Sequence, residues 1–504
     1  MKRRTAAFVS MLLAMGLLLV ACSDPDRTPE VHEPVILEVG ATLEPTGLDP
    51  STVAGAGTPF VFLYNVYETL VKIDAENNLR PLLATDWSVS GNGLVHTFHL
   101  DSDATFASGD KVTADAVVTS FERAMNDDDI TELVRTSMDP VEKVEAEGDN
   151  TVVVTLDRVS QRWLYDMAGP AGIIYDPEGL DNLDEAPAGS GPFVFEDWDV
   201  GASITLATDT TYWGTGPRVD EIVFKYYADP NAMNTAMLSG QLDVISNLTI
   251  PESIDEFLDA GEFRVLEGQT HGEVVLGFNH TNEALAKLEV RQAINHAIDR
   301  EELLETTWGG KGELIGSMVP PLDPWFDESL VDHYEYDPEL ARELLEKAGY
   351  KDGLSLKLRI PTLPYGMNAA RFISAQLEEV GIDVETEELE FGAWLEQVFT
   401  NHDFDMTIVA HVEPRDLATF ADPDYYWLYD NEEFQKMVSK ADTALTSEQN
   451  VELLRQASAV LTRDAAADWL FVLPNIVITT NEVSGLNANA SSLSFDLTSV
   501  ATNR

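Results

Sequence analysis

The chain has 504 residues, with 31 lysines and arginines against 88 aspartates and glutamates and a formal charge of −57. Its length predicts more than one folding unit, and its hydrophobic content of 44% excludes global disorder. A surface this negative repels phosphate backbones and anionic headgroups, which argues against a nucleic-acid partner and against electrostatic docking to membranes. The single cysteine excludes an internal disulfide and any Cys-x-x-Cys site.

The N-terminus has the pattern of a secretory signal. Three cations within the first four residues precede a largely apolar run over residues 6–21, which is shorter than a membrane span. The run ends at Cys22 in a Leu-Val-Ala-Cys sequence that resembles the lipobox of bacterial lipoproteins. We therefore predict a signal peptide over residues 1–21, a diacylglyceryl group on Cys22 and a polar tether over residues 22–34. An ordinary secretory signal with an incidental cysteine is the alternative.

Short alternating runs predict strands in the body of the chain, which begins at residue 35. From that point no apolar stretch approaches the length of a membrane span. The predicted strands lie at residues 94–100, 151–156, 204–207 and 354–360.

Helix signals are strongest in the second half of the chain. Asp337 is a predicted N-cap, Pro338 stands at the first helical position, and Gly349 ends the apolar stripe that follows. Apolar periodicity predicts further helices over residues 288–304, near residues 372–381 and over residues 451–461.

The order of these elements predicts an α/β organisation. Residues 354–410 alternate strand, helix, strand, helix and strand, which is typical of an α/β unit with parallel pairing. We predict two lobes, with the chain crossing between them near residues 270–279 and again near residues 471–477. Both stretches are apolar and bracket the α/β unit, as hinge strands do.

Signatures of catalysis are missing from the sequence, which contains no HExxH, GxSxG, P-loop or glycine-rich dinucleotide motif. His96 and His99 are close in sequence, but strand alternation places them on opposite faces. Among 88 acids, any single carboxylate pair has little weight as an acid–base pair. We therefore predict a protein that is not an enzyme, with no catalytic residues, no cofactor and no metal. An extracellular hydrolase of peptides or glycans is the alternative.

Several short segments share a characteristic order and spacing between residues 35 and 485. They are NVYETLV at residues 65–71, LRPLLATDW at 79–87, FASGD at 106–110, GSGPF at 189–193, YWG at 212–214, LSGQLD at 238–243, VRQAINHAIDR at 290–300 and LLEKAGY at 344–350. Together they resemble the family 5 extracellular solute-binding proteins of ABC importers, the dipeptide, oligopeptide and nickel class. The predicted lipobox agrees with this resemblance independently.

The resemblance implies an α/β, bilobal, periplasmic-binding-protein-like fold (type II, cluster C) with an extra small domain. Domain I is expected to be discontinuous, over residues 35–75, 188–270 and 476–504. Domain II is expected over residues 76–187 and domain III over residues 271–475. A solute would be buried between domains I and III, and the lobes would close about the crossing strands.

The resemblance also implies a function. We expect a monomer, lipid-anchored at the extracytoplasmic face of the cell membrane, that captures a small solute and delivers it to ABC permease subunits with their ATPase. A short peptide is the expected solute, and no bond is made or broken. A sensory lipoprotein that presents its ligand to a receptor is a further alternative.

One loop is the main candidate for ligand contact. In peptide-binding members of the family, a Gly-Trp step after a strand leads to a loop whose aspartate meets the α-ammonium group of the peptide. Here Ala410 and His411 replace the Gly-Trp step, and Glu413, Arg415 and Asp416 follow. His411, Glu413, Arg415 and Asp416 are therefore candidate ligand contacts. The replacement leaves a non-peptide solute, such as an oligosaccharide or a metal chelate, as an alternative.

Two further segments contain candidate contacts. Tyr425, Tyr426 and Trp427 are adjacent aromatics that either line an amphipathic pocket or pack at the edge of domain III. The loop that contains Thr46 and Asp49 resembles the family segment that reaches the cleft from domain I. Because acids are spread through every segment, we attribute the net charge to the general surface rather than to the charge of the ligand.

Overall fold

The structure is a computed structural model that describes residues 34–503. The predicted signal peptide, the predicted lipidation of Cys22 and nearly all of the predicted tether lie outside these described residues. Residues Val35–Arg504 form one compact unit. Within residues 34–503, no helix combines the length and the apolar character that crossing a bilayer requires.

The strands of the described chain are numbered in order. They are β1 (Ile36–Ala41), β2 (Val71–Ile73), β3 (Leu79–Pro81), β4 (Ala84–Val89), β5 (Val95–Leu100), β6 (Val141–Ala146), β7 (Thr151–Leu156), β8 (Phe193–Asp199), β9 (Ser203–Thr208), β10 (Glu221–Tyr226), β11 (Val244–Ile245), β12 (Phe263–Phe278), β13 (Leu354–Pro361), β14 (Ile382–Leu389), β15 (Met406–His411), β16 (Ala467–Thr480), β17 (Val483–Ser484) and β18 (Ala501–Thr502).

The α-helices are numbered in the same way. They are α1 (Gly57–Phe62), α2 (Ala114–Asn126), α3 (Glu132–Met138), α4 (Trp163–Asp166), α5 (Pro230–Leu238), α6 (Ile254–Ala260), α7 (Leu288–Ala297), α8 (Arg300–Trp308), α9 (Pro338–Ala348), α10 (Pro364–Glu379), α11 (Phe391–Trp394), α12 (Glu432–Asp442) and α13 (Ser447–Arg463). A π-helical turn, Leu395–Thr400, follows α11 directly.

A ten-stranded sheet runs through the molecule in the order β14-β13-β15-β12-β16-β11-β1-β10-β9-β8. Its two longest strands, β12 with 16 residues and β16 with 14, pair antiparallel at the centre. The stretches predicted to cross between lobes, residues 270–279 and 471–477, lie largely in β12 and within β16. The two halves of the sheet are therefore connected through this one antiparallel pair.

A second sheet lies in the first half of the chain. Its four antiparallel strands are ordered β4-β5-β7-β6. Strand alternation in β5 buries His96 and leaves His99 exposed, as the sequence predicts. Apolar residues of this sheet, α2 and α3 form one core, which is separate from the cores on the ten-stranded sheet.

The predicted α/β unit is confirmed. The chain runs β13, α10, β14, α11 and β15, and β13 pairs parallel with both β14 and β15. The helix predicted after Asp337 is also confirmed, because the Asp337 side chain accepts a hydrogen bond from the Leu340 amide at 2.9 Å and Gly349 adopts φ 96°.

The single helix predicted over residues 288–304 is wrong. The structure has two helices there, α7 and α8, with a break at Ile298 and Asp299. Asp299 adopts an extended conformation and its side chain accepts a hydrogen bond from the Glu302 amide at 3.0 Å. An aspartate that caps a new helix competes with continuation of the previous one, although the apolar periodicity runs through both.

Candidate ligand-binding site

The site is built at the end of β15, where the central strands hold the chain in place. β15 is paired with β12 on one side and with β13 on the other, and it ends at His411. Glu273 of β12 lies directly opposite His411 in the antiparallel register. Opposed residues of an antiparallel pair project from the same face, so Glu273 and His411 face the same region.

Two carboxylates in this region are buried without partners. Glu273 and Asp416 are only 1% and 4% exposed. Among the described residues, neither oxygen of Asp416 has a hydrogen-bond partner, and neither does Oε2 of Glu273. Because a buried polar group without a partner is costly, native structures rarely leave one. These oxygens are therefore available to hydrogen-bond donors that the described residues do not supply.

The pKa values follow from this burial. Burial raises the pKa of Glu273 well above its ordinary value, and the nearby charges of Asp416, Asp323 and Glu413 raise it further. Burial likewise raises the pKa of Asp416, with Glu413 and Asp323 as the main charged neighbours. The pKa of Asp323 rises to about 7 through burial, although Arg415 opposes the change. The pKa values of several neighbouring acids are thus raised together, because each ionised carboxylate disfavours ionisation of the others. A bound cation would offset this repulsion.

His411 is a neutral, oriented side chain. Its Nε2 lies 3.0 Å from the hydroxyl of Tyr426, and burial lowers the pKa of His411 to about 4. Its Nδ1 is 3.8 Å from Oδ2 of Asp416, but an uncharged imidazole does not form an ion pair there at neutral pH. If Tyr426 donates to Nε2, Nδ1 carries a hydrogen directed to the Asp416 side; if Nε2 donates to Tyr426, Nδ1 offers a lone pair.

The same residues meet the chemical requirements of a metal site in part. One ligand atom from each of His411, Glu413 and Asp416 lies within 4.8 Å of the others. A neutral imidazole with two carboxylates suits divalent transition metals, and a second imidazole hydrogen bond such as that of Tyr426 is typical of such ligands. The grouping is looser than bonds of about 2.0–2.2 Å to one ion require. The donor set fits, and the loop would have to contract around the ion.

Arg415 occupies an unusual position beside these groups. Its Cζ lies 3.5 Å from the ring centroid of Tyr165 and 5.2 Å from that of Trp325. Its backbone is left-handed, with φ 60°, and its carbonyl accepts a hydrogen bond from Nη1 of Arg162 at 3.0 Å. The guanidinium is thus enclosed by aromatic rings, and its buried Nε has no hydrogen-bond partner.

A series of hydrogen bonds connects Tyr165, which contacts Arg415, to residues 322 and 323 through Asn77. The Tyr165 hydroxyl donates to Oδ1 of Asn77 at 2.7 Å. The Asn77 amide nitrogen donates in turn to the Leu322 carbonyl at 3.0 Å and to Oδ1 of Asp323 at 3.2 Å. Segments far apart in the sequence therefore meet at the loop that carries Asp416.

A cavity of about 650 Å³ lies on the other side of Arg415. One wall comes from residues 133–166 and the other from Trp325 and residues 415–454. Its volume is in the range of small-molecule sites, and Trp163 and Trp325 give it an apolar floor.

The aromatic triplet divides between two environments. Tyr426 and Trp427 are buried, and Trp427 stacks on Phe420 with a centroid distance of 4.0 Å and an angle of 12°. Both belong to a hydrophobic core that also contains Trp469. Tyr425 is half-buried beside them. Trp427 is thus a packing residue, whereas Tyr426 supports His411.

Thr46 and Asp49 lie elsewhere. Thr46 is exposed. The buried Asp49 carboxylate accepts hydrogen bonds from Arg123 at 2.7 Å, from Tyr175 at 2.8 Å and from Ser51. Among the described residues, none of the hydrogen bonds of Asp49 involves residues 411–427. The structure therefore brings His411, Glu413, Arg415, Asp416 and Tyr426 together and does not add the first loop to them.

Sequence reasoning missed Glu273, Asp323, Tyr165 and Asn77. A signal existed for Glu273, because it is an acid at the start of the apolar run Val274-Val275-Leu276 in a stretch predicted to cross between the lobes. The others had none, since Tyr165 and Asn77 reach Arg415 and Asp323 across more than 200 residues of sequence.

Comparison with known proteins places the chain in a family. The family profile described as "Bacterial extracellular solute-binding proteins, family 5 Middle" matches residues 78–435. The heme-binding protein A of Haemophilus influenzae is 26% identical over 369 residues, covering 67% of each chain. The dipeptide-binding protein of Escherichia coli is 26% identical over 419 residues, 77% of each chain. The nickel-binding periplasmic protein of the same organism is 26% identical over 341 residues, 63% of this chain and 65% of that protein.

Solved structures match along nearly the whole chain. The substrate-binding protein CtaP of Listeria monocytogenes superposes with a TM-score of 0.85 at 20% identity, over 94% of this chain and 100% of that one. The oligopeptide-binding protein AppA of Bacillus subtilis, solved with a nonapeptide, gives a TM-score of 0.78 at 22% identity, with coverage of 94% and 100%. At these identities the likeness shows the shared fold, which is the predicted one.

Proposed function

The chain belongs to the bacterial extracellular solute-binding proteins of family 5, and on that basis we propose that its solute carries a cationic group and is most simply a short peptide. As a member of this family it is a binding protein and not an enzyme. In the role that we propose, it hands the solute to an ABC permease with its ATPase.

The buried, unpartnered carboxylate of Asp416 carries the ligand proposal. An α-ammonium group offers a positive charge and three N–H donors in one small group. Such a group would satisfy the free oxygens of Asp416 and the free Oε2 of Glu273 and would offset the repulsion between them. Glu413 adds an exposed acid at the same loop, and His411 adds a polar ring.

The names of two relatives support the peptide class. The E. coli relative is named for dipeptides, and the structural neighbour AppA was solved with a nonapeptide. The 650 Å³ cavity is lined by Arg415 and Leu417, the neighbours of Asp416 in sequence, and its volume suits a small solute. The cavity lining is mostly uncharged and includes two tryptophans, which suits side chains of varied chemistry.

We further propose the domain division given above, with domain I over residues 35–75, 188–270 and 476–504, domain II over residues 76–187 and domain III over residues 271–475. The pairing of β12 with β16 supports a hinge there, since these strands alone connect the two halves of the ten-stranded sheet. A solute that contacts both lobes would favour the closed form.

The N-terminal part of the proposal concerns location. We propose cleavage after residue 21, lipidation of Cys22 and anchoring of a monomer at the extracytoplasmic face of the cell membrane. Mass spectrometry of the protein extracted from membranes should show an N-terminus at Cys22 that carries a diacylglyceryl group. Release of the Cys22→Ala variant from membranes is expected, and unchanged membrane association of that variant would contradict the anchor.

The ligand proposal is tested with a matched pair of peptides. Native mass spectrometry of the freshly purified protein first identifies any solute that it retains. Isothermal titration calorimetry then compares trialanine with N-acetyl-trialanine, which lacks only the cationic amine. We expect trialanine to bind and the acetylated peptide to lose most of the affinity. Equal binding of both peptides, or of neither, would contradict the proposed recognition of the ammonium group.

A metal ion or chelate is the second candidate, and the grouping of His411, Glu413 and Asp416 favours it. One relative is named for nickel. Titration with Ni²⁺ and Zn²⁺ separates the two candidates. Metal binding requires the Nδ1 lone pair, so His411→Gln should abolish it, whereas recognition of an ammonium group depends on Asp416 and should survive that change.

A further inference from the structure

Loop 411–416 carries two kinds of group with different surroundings. Asp416 has a free carboxylate in the proposed ligand site, whereas the adjacent Arg415 is held by aromatic rings. We propose that Arg415 is a positioning residue that couples occupancy of the site at Asp416 to closure of residues 76–187 against residues 271–475. This proposal rests on the proposed role of Asp416 and adds the means by which binding is transmitted.

The contact of Arg415 joins the two segments directly. Tyr165 belongs to residues 76–187, whereas Trp325 and Arg415 itself belong to residues 271–475. A guanidinium plane stacked on a tyrosine ring is favourable, and more so when water is excluded from it. Since no ion pair holds Arg415 among the described residues, this stack is its principal side-chain contact across the interface.

The backbone of Arg415 links that contact to Asp416. A left-handed conformation with φ 60° is unfavourable for a residue with a side chain, and it persists only where the surroundings hold it. Here the surroundings are the ring of Tyr165 and the Arg162 guanidinium, which donates to the Arg415 carbonyl at 3.0 Å. The same turn points the next side chain, Asp416, into the buried region beside His411.

The charges at the site determine that a bound solute favours the closed form. Closure over an empty site buries the carboxylates of Asp416 and Glu273 without a counter-charge, which opposes the closed form. The Arg415 stack favours the closed form. A cationic solute removes the penalty and leaves the stack, so the equilibrium shifts to the closed form only when the site is filled.

A second contact between the same segments provides a comparison. Asp442, at the end of α12, accepts hydrogen bonds through Oδ1 from the Ser160 hydroxyl at 3.0 Å and from the Arg162 amide at 3.3 Å. Its carbonyl accepts one from the Gln161 amide at 2.9 Å. The side chains of loop 411–416 take no part in this contact, although Arg162 joins it through its amide and meets the Arg415 carbonyl through its guanidinium.

The experiment measures the separation of the two segments directly. A Cys22→Ser chain contains no other cysteine, and Lys143→Cys and Lys436→Cys place spin labels at exposed positions on either side. Pulsed electron–electron double resonance, without solute and with trialanine, gives the ratio of closed to open forms. Arg415→Ala and Tyr165→Leu should each lower that ratio about 2- to 30-fold, the range expected of one cation–π contact.

The pattern across variants identifies the coupling. The double variant should lower the ratio no further than the larger single effect, because both side chains act through one contact. Arg415→Lys should lie between the parent and Arg415→Ala. Arg342→Ala is the matched control, because Arg342 is an exposed arginine of residues 271–475 that does not line the cavity and pairs at the surface with Glu339. Ser160→Ala should weaken closure equally with and without solute.

Two results would overturn the proposal: a parent ratio that Arg415→Ala leaves unchanged, and additive effects of Arg415→Ala and Tyr165→Leu. A parent that binds trialanine by calorimetry but shows only open separations in both conditions would overturn it as well, since occupancy of the site would then not be transmitted to closure. A wrong choice of ligand class would give a different result. A parent that closes through Arg415 but does not respond to trialanine removes the peptide and keeps the role of Arg415 in closure. Tyr165→Phe, which keeps the ring, checks that lost closure is not lost folding.

Discussion

Nδ1 of His411 lies 3.8 Å from Oδ2 of Asp416, and both groups are buried. Because burial lowers the pKa of His411 to about 4, the imidazole brings no positive charge to the carboxylate at neutral pH. Glu273, opposite His411 in the sheet, has a free carboxylate oxygen as well. Two buried acids therefore lie together with oxygens that accept no hydrogen bond among the described residues, and the first three predictions follow from that arrangement.

Replacing Asp416 should weaken binding of a cationic solute. Asp416→Asn keeps the shape of the side chain and removes the charge that a hydrogen-bonded ammonium group would meet. Charge-assisted hydrogen bonds contribute about 1.5–3 kcal/mol, so we expect a loss of roughly 10- to 100-fold in affinity for trialanine by calorimetry. Asp424→Asn, in an exposed loop of the same region, is the control and should bind as the parent does. Unchanged affinity in Asp416→Asn would remove this residue from the site.

Replacing Glu273 should stabilise the ligand-free protein. Glu273→Gln removes one of the two buried charges that repel each other and keeps a polar group of the same size. We expect the free energy of unfolding in urea to rise by about 1–2 kcal/mol, while affinity for trialanine falls, because functional sites commonly retain groups that reduce stability. Glu267→Gln, an exposed acid of the same strand that pairs with Lys311, should leave the affinity unchanged and change the free energy of unfolding by less than about 1 kcal/mol. A loss of stability in Glu273→Gln would show that its charge is compensated in the native protein.

The stability of the ligand-free protein should fall as pH rises from about 4.5 to 7. The pKa of Asp323 is raised to about 7 and that of Asp468 to about 6, in both cases chiefly by burial, and burial also raises the pKa of Glu273 and Asp416. Between the ordinary and the raised pKa values the folded form binds more protons than the unfolded form. Stability is then fully present at low pH and is lost as pH increases.

Calorimetric melting temperatures across that pH range test this sign. The overall negative charge of the chain acts in the same direction, so the comparison with Glu273→Gln is the informative one. We expect a shallower decline in that variant, because one of the groups with a raised pKa is gone. Parallel curves for the parent and Glu273→Gln would show that folding does not raise the pKa of Glu273.

The sequence predicted the scaffold of the site better than the site itself. The strand that ends at His411 and the helix capped by Asp337 each depend on local signals, namely apolar runs and capping residues, and both are present in the structure. The division of α7 from α8 was missed because the capping role of Asp299 is invisible in an apolar pattern that continues through it. Local periodicity therefore locates elements and overlooks interruptions that a single side chain causes.

Local sequence signals could not predict the residues that surround Asp416. Arg415 meets Tyr165 only because the fold brings residues 76–187 against residues 271–475, and a sequence without homologues contains no record of that contact. Thr46 and Asp49, which are predicted contacts from another segment, have surroundings that local signals could not predict either. Asp49 is occupied by Arg123 and Tyr175, partners that are distant in the sequence.

Trp427 should behave as a core residue. It is fully buried and stacks on Phe420, so Trp427→Ala removes a large side chain from a packed interior. Such changes typically cost about 3–5 kcal/mol, which urea unfolding measures. Tyr425→Ala, at a half-buried neighbour, should cost clearly less. Comparable small losses for both would indicate that Trp427 contributes a pocket wall rather than core packing.

The glycines of the segment at residues 189–193 should be required for close packing rather than for a turn alone. A Cβ on Gly189 would lie 2.0 Å from the carbonyl oxygen of Val66, a contact with backbone that cannot move aside cheaply. Between the glycines, the Ser190 hydroxyl donates to the buried carboxylate of Glu68 at 2.9 Å, so a shifted backbone would also disturb that hydrogen bond. We expect Gly189→Ala to lower the free energy of unfolding by about 2–4 kcal/mol. Gly216→Ala, where nothing lies within 4 Å of the added carbon, should change it by less than about 0.5 kcal/mol. Equal stabilities of the two variants in urea would show that the segment adjusts and that its glycines are not held by this contact.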